Sequence, residues 1–151
     1  MPEAVIGFGS NIDPDVHLRT ALAALAGRGT GQRRSNLYET PPVGAPGAPP
    51  FLNGVIAIQL PLALASEVRE LLRELEAAAG RQRGSEPNAP RTLDLDLLLW
   101  DGEMVSDPSL DAHVALPFSE ICPDWVHPTT GEAMGMTLTR FATVIATFTR
   151  R

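Results

Sequence analysis

The chain of 151 residues has one cysteine, Cys122, and no lysine: all 12 of its basic residues are arginine. A lone cysteine excludes an intramolecular disulfide and fits a reducing cytoplasm. Without lysine, no side-chain amine is available for Schiff-base or similar chemistry. No apolar run is long enough to cross a bilayer, so no membrane span is expected. The first residues lack the basic start and apolar core of a secretion signal. Positive charge is scarce as well. The net charge is −6, which argues against a general nucleic-acid binder. What remains is ordinary globular composition, 44% hydrophobic and 20% charged. The length suits one domain with its own core, so residues 1–151 read as a single domain.

Punctuation by glycine and proline divides the chain into elements. "EAVIGFGSN" is an apolar strand running into the Gly9-Ser10-Asn11 turn. "DPDVHLRTALAALAG" reads as a helix, with Asp13 at the N-cap, Pro14 at the first helical position and Leu18, Ala21, Leu22 and Leu25 on one face. "RRSNLYET" is a second strand. "PPVGAPGAPP" is a loop, because proline and glycine crowd it. "FLNGVIAIQL" is a third strand with weak alternation. Ser66 is expected to cap a strong helix striped by Val68, Leu71, Leu72 and Leu75 and closed by Gly80. A polar loop, "RQRGSEPNAP", leads to the strand "LDLDLLLW". Asp101-Gly102 signals a hairpin, with "EMVSD" returning antiparallel. "TLTRFATVIATF" reads as a closing helix. The order β-α-β-β-α-β is that of an α+β, ferredoxin-like sandwich, an antiparallel sheet with two helices on one face, here with a C-terminal extension.

Two acids interrupt the greasiest strand. Strand alternation puts Asp94, Asp96, Leu98 and Trp100 on one face and Leu93, Leu95, Leu97 and Leu99 on the other. The acid pair has three readings: solvated or arginine-paired carboxylates, a magnesium site, or a general acid–base pair. Carboxylate oxygens roughly 7 Å apart along a strand suit hard cations completed by water and substrate phosphates. Arg81, Arg83 and Arg91 bracket the loop before the strand, and arginine binds phosphate in a forked geometry. That neighbourhood favours metal-assisted phosphoryl transfer.

"APRTLDLDLLLW" resembles the G-P-R-T-L-D-L-D signature of the 6-hydroxymethyl-7,8-dihydropterin pyrophosphokinase family. "GFGSN", "LYETPPVG", "FLNGVIAI", "ELEAAAGRQR" and "LPFSEICPDWVHPTTG" resemble its other segments in order. The resemblance implies a ferredoxin-like fold and transfer of pyrophosphate from ATP to the pterin hydroxymethyl group, releasing AMP in folate biosynthesis. It implies that Asp94 and Asp96 hold two Mg²⁺ ions. Arg81 and Arg91 would contact ATP and support transfer, with Arg83 in the same motif. Glu76 would lie near the nucleotide, and His113 would stand for a histidine reaching the triphosphate. On the acceptor side it implies that Phe51 stacks on the pterin and Asn53 hydrogen-bonds it, while Thr40 and Val43 frame its polar edge. The implied partners are small molecules, ATP and a pterin or similar heterocyclic alcohol.

The resemblance breaks after the hairpin. "LDAHVALPF" is shorter than the family segment by roughly nine residues. It lacks the R-x-F that supplies an ATP contact and the second aromatic wall of the acceptor pocket. Phe118 is the aromatic nearest in sequence, and Ala89 replaces the usual glycine. Two further readings follow: a pyrophosphokinase for another hydroxymethyl heterocycle, and a non-catalytic module that binds nucleotide or a partner.

Overall fold

The elements of the computed structural model run β1 (Glu3–Ser10), α1 (Pro14–Ala26), β2 (Thr30–Arg34), β3 (Tyr38–Thr40), β4 (Phe51–Gln59), α2 (Ala65–Ala78), β5 (Asp94–Trp100), β6 (Glu103–Met104), α3 (Ala112–Ile121), α4 (Met134–Arg140), α5 (Ala142–Ile145) and β7 (Thr149–Arg150). The structure describes residues 1–42, 47–80 and 93–151. The strands form one antiparallel sheet in the order β6-β5-β1-β4-β3-β7, with β2 also pairing with β4. The expected second strand is thus two strands, broken at Ser35–Leu37 and both laid on β4. Taken together they give the ferredoxin-like arrangement.

The weak alternation of β4 has a plain cause: both faces of the sheet are covered. Ile6, Phe8, Leu52, Ile56 and Ile58 meet Leu18, Leu22 and Leu25 of α1 and Val68, Leu71 and Leu72 of α2. On the opposite face, Val5, Val55 and Ala57 meet Ala115, Phe118 and Ile121 of α3 and Met134 of α4. The expectation of helices on one face therefore covers only half of the packing. Helix α3 escapes a sequence reading because Pro117 sits inside it. Proline offers no N–H to the carbonyl of His113 and costs about 3 kcal/mol in a helix interior. Burial of Ala115, Phe118 and Ile121 outweighs that cost.

Three local expectations are corrected. Asp13 stands at the cap position of α1, but its backbone is left-handed (φ 44°) and its side chain caps nothing. Helix α2 starts at Ala65, ahead of Ser66. Its end is tied by Glu67, whose Oε1 accepts the N–H groups of Ala63 (3.2 Å) and Leu64 (3.0 Å). Strand β5 does not alternate to its end. Val5 pairs with Leu99 but Ile6 with Leu97, so Leu98 is an extra residue, a β-bulge. The bulge shifts the phase: Leu98 and Leu99 both join the α3-side core, and Trp100 crosses to the α1/α2 side, away from Asp94 and Asp96. The hairpin after it matches expectation, with Asp101 (φ 51°) and Gly102 (φ 83°) both left-handed. The tail divides into α4, α5 and β7 rather than one helix.

Candidate active site

Antiparallel partners project to the same face of a sheet. Asp94 of β5 pairs with Gly9 of β1, Gly9 with Asn53 of β4, and Asn53 with Tyr38 of β3. This row lies on the α3 face, beyond the end of α3's hydrophobic contacts. Gly9 leaves the space between Asp94 and Asn53 without a side chain. A Cβ there would stand 2.5 Å from Asn53 Oδ1, so the Asn53 amide occupies room that only glycine leaves open. From that position Asn53 Nδ2 donates to Thr40 Oγ1 at 2.7 Å, and both residues are buried.

Above this row opens a cavity of about 560 Å³. Phe51, Asn53 and Thr40 form one side, Asp94 and the start of α3 (Asp111, His113) another, and Phe141, Val144 and Phe148 of the C-terminal segment a third. A second cleft of about 270 Å³ lies between α2 and β5, lined by Arg69, Arg73, Glu76, Asp94 and Asp96. Asp94 borders both. Glu76 is buried at the end of α2, and its Oε2 accepts the Leu95 N–H at 2.9 Å, which fixes β5 between its two acids against the helix.

Asp96 keeps an exposed edge, yet the burial of its base pushes its carboxyl above the usual carboxylate range. Ser106 Oγ, donating at 3.1 Å, pulls it back, Asp94 pushes it further up, and Arg69 pulls it back again. Burial lowers the His113 imidazole below its ordinary value, against the attraction of Asp111 and Asp94. His113 is therefore held toward its neutral form on the wall of the larger cavity.

The sequence-predicted residues thus fall into two groups around Asp94. Thr40, Phe51, Asn53 and His113 gather at the larger cavity, and Glu76 and Asp96 at the smaller one. Val43, Arg81, Arg83 and Arg91 lie outside the described residues. Phe118 is not a wall of either cavity: it is fully buried on the inner face of α3, with its ring edge-on to Trp125. Sequence reasoning missed Gly9, Arg69, Arg73, Phe141 and Phe148. Arg69, Arg73 and Glu76 stand at i, i+4 and i+7 on one helix face, a spacing that was available to find them. The two phenylalanines carried no local signal. Among the described residues no cluster of three or more metal-ligating side chains exists. Two adjacent carboxylates nonetheless fit a cation that keeps water and phosphate ligands, as Mg²⁺ does.

Comparison with known proteins supplies a family. Residues 5–123 match the sequence profile described as 7,8-dihydro-6-hydroxymethylpterin-pyrophosphokinase. The 2-amino-4-hydroxy-6-hydroxymethyldihydropteridine pyrophosphokinase of Methylorubrum extorquens is 37% identical, over 83% of this chain and 86% of its own. The Synechocystis protein of the same name is 33% identical over 87% of this chain and 72% of its own. In fold, the chain is similar to a Plasmodium falciparum HPPK-DHPS crystal structure (TM-score 0.72, 10% identity), covering 99% of this chain and 47% of that one. The chain thus spans about half the length of that structure.

Proposed function

The chain belongs to the 7,8-dihydro-6-hydroxymethylpterin-pyrophosphokinase family and is a pyrophosphokinase of folate biosynthesis, and from that premise we propose that its two cavities hold the two substrates, joined at Asp94. ATP is the co-substrate, and the pterin alcohol is the acceptor. The acceptor hydroxyl oxygen bonds to the β-phosphorus of ATP with loss of its proton. The bond from that phosphorus to the oxygen bridging to the α-phosphate breaks, and AMP leaves. The observation that carries this reading is the position of Asp94 on the border of both cavities.

The residues divide the work by place. Thr40 and Asn53 present polar atoms at the floor of the larger cavity, and Phe51 presents a ring beside them. They suit a flat heterocycle with hydrogen-bonding edges. Arg69 and Arg73 border the cleft where the triphosphate would lie. Arg81, Arg83 and Arg91, as the matching motif implies, would bind phosphate oxygens, and Arg91 would meet the transferring group. Asp94 and Asp96 would hold magnesium, which neutralises phosphate charge when bound. Glu76, on the wall of the same cleft, would lie near the nucleotide, and its bond to the Leu95 N–H keeps β5, and so both aspartates, in place. His113, on the wall of the larger cavity, would reach a phosphate only where the two cavities meet beside Asp94, and there would donate one hydrogen bond without adding charge. Such a protein works on small molecules, with no nucleic acid or membrane as partner. A reducing cytoplasm suits its lone, half-buried Cys122. Among the described residues no helix is long and apolar enough to cross a membrane.

The test is AMP release from ATP, with and without the pterin, in magnesium buffer. Asp96→Ala should lower the rate at least roughly a hundredfold, as for lost charge stabilisation of a transition state. Its melting point should hold, because burial already penalises that carboxylate. Full activity in the variant would refute the metal-holding role of Asp96, and pterin-independent AMP release would refute the acceptor.

A further inference from the structure

The C-terminal segment folds back onto the larger cavity, and we propose that Phe148 forms the aromatic wall opposite Phe51, which makes the cavity selective for a flat bicyclic heterocycle. This rests on the pyrophosphokinase reading of that cavity. Phe148 lies outside the stretch that the family profile matches, residues 5–123.

The register places it. Thr40 pairs with Phe51 on one side, and Glu39 pairs with Thr149 on the other. One residue further along this antiparallel pair, Thr40 stands beside Phe148. Phe148 is the residue just ahead of β7, where the chain leaves the turn after α5, and its ring and that of Phe51 line the same cavity. Strands β4 and β7, on either side of β3, are about 9.5 Å apart, twice the strand spacing. A flat ring in contact with an aromatic on each side needs about 7–8 Å between those aromatics. The floor between the walls is polar: Thr40 Oγ1 and the Asn53 amide. Aromatic walls over a polar floor select a planar molecule with donors and acceptors on its edge.

Phe148 is held on both sides in sequence. Its own N–H donates to the Ile145 carbonyl at 2.9 Å at the end of α5. Two strand pairs follow it, and Arg151 N–H donates to the Leu37 carbonyl at 2.8 Å. Helix α5 packs on α3 and α4. The wall thus stands between the end of α5 and a short paired strand, and both hold its backbone before any ligand arrives.

Titration of the fluorescent pterin into the full chain, with magnesium and a non-hydrolysable ATP analogue, tests the wall alongside steady-state AMP release. Phe148→Leu keeps apolar volume and loses the ring face; Phe148→Ala removes both; Phe148→Tyr keeps the ring. The dissociation constant and KM for pterin should rise roughly tenfold in the leucine and alanine variants. They should stay within about twofold of wild type in the tyrosine variant, and the KM for ATP should not move in any. A folded Phe148→Leu protein with unchanged pterin affinity would overturn the inference while leaving the reaction standing. A wild type that binds pterin but releases no AMP would sink the reaction, and the comparison of dissociation constants would still decide the wall. Absence of pterin binding in the wild type would overturn both.

Discussion

Replacing Gly9 with alanine adds one methyl group and should disable acceptor binding more than it disables folding. The new Cβ would stand 2.5 Å from Asn53 Oδ1, roughly an ångström inside ordinary contact. The strand backbone of β1 is paired on both sides, with Asn53 and with Asp94, so it has little room to retreat. The Asn53 side chain must yield instead, and its 2.7 Å bond to Thr40 Oγ1 goes with it. Disrupting a buried hydrogen bond of this kind costs about 1–3 kcal/mol where a partner stays unsatisfied. Alanine in a strand recovers about 0.5–1 kcal/mol relative to glycine. The net loss of stability is then about 1 kcal/mol, a fall of about 2–4 °C in melting temperature for a domain of this size. Pterin affinity should drop roughly tenfold or more, since the amide that would read the ring edge is misplaced. Calorimetric melting and pterin titration on the same sample separate the two effects. In Gly9→Ala/Asn53→Ser the shorter side chain clears the methyl group, so the melting temperature should recover and the affinity should not. A Gly9→Ala protein that binds pterin as the wild type does would refute the claim that glycine is there for the Asn53 amide.

Two further predictions concern stability against pH. Tyr38 donates to Glu120 Oε2 at 2.7 Å, and burial first, then this bond and the charge of Glu120, push its pKa up to about 12. The unfolded phenol ionises near 10, so stability should fall between about pH 10 and 12 by roughly 2–3 kcal/mol. Tyr38→Phe should flatten that alkaline slope in urea titrations, and an unchanged slope would count against the contact. Burial pushes the Asp107 carboxyl up, but hydrogen bonds from the Ser109 hydroxyl and N–H and from His127 outweigh it and hold it below its usual range. A lowered carboxylate stabilises the fold above its unfolded pKa near 4 and loses that contribution as pH falls further. Asp107→Asn should therefore be less stable at pH 7 and less sensitive to acid below about pH 4, read by melting temperature across the range.

Local patterns carried much of this protein. The acid pair, the Asp101-Gly102 turn, the apolar faces of α1 and α2 and the long signature around Asp94 depend on neighbours in sequence, and there periodicity and turn chemistry suffice. The order of strands and helices followed from them, and so did the family. What the tertiary structure decided lies where distant segments meet. The bulge at Leu98 is visible only against β1, and it sends Trp100 to the other side of the sheet. Helix α3 is legible only through the core it covers, because Pro117 argues against a helix when read alone. Phe118, close in sequence to the missing wall, points into the core from the inner face of that helix. The candidate wall instead comes from Phe148, more than fifty residues beyond Asp94 in the chain. It reaches the cavity because β7 adds to the open edge of β3. Strand addition joins backbone groups that every residue possesses, so no side-chain pattern announces it; only the assembled sheet shows which edge was left to pair.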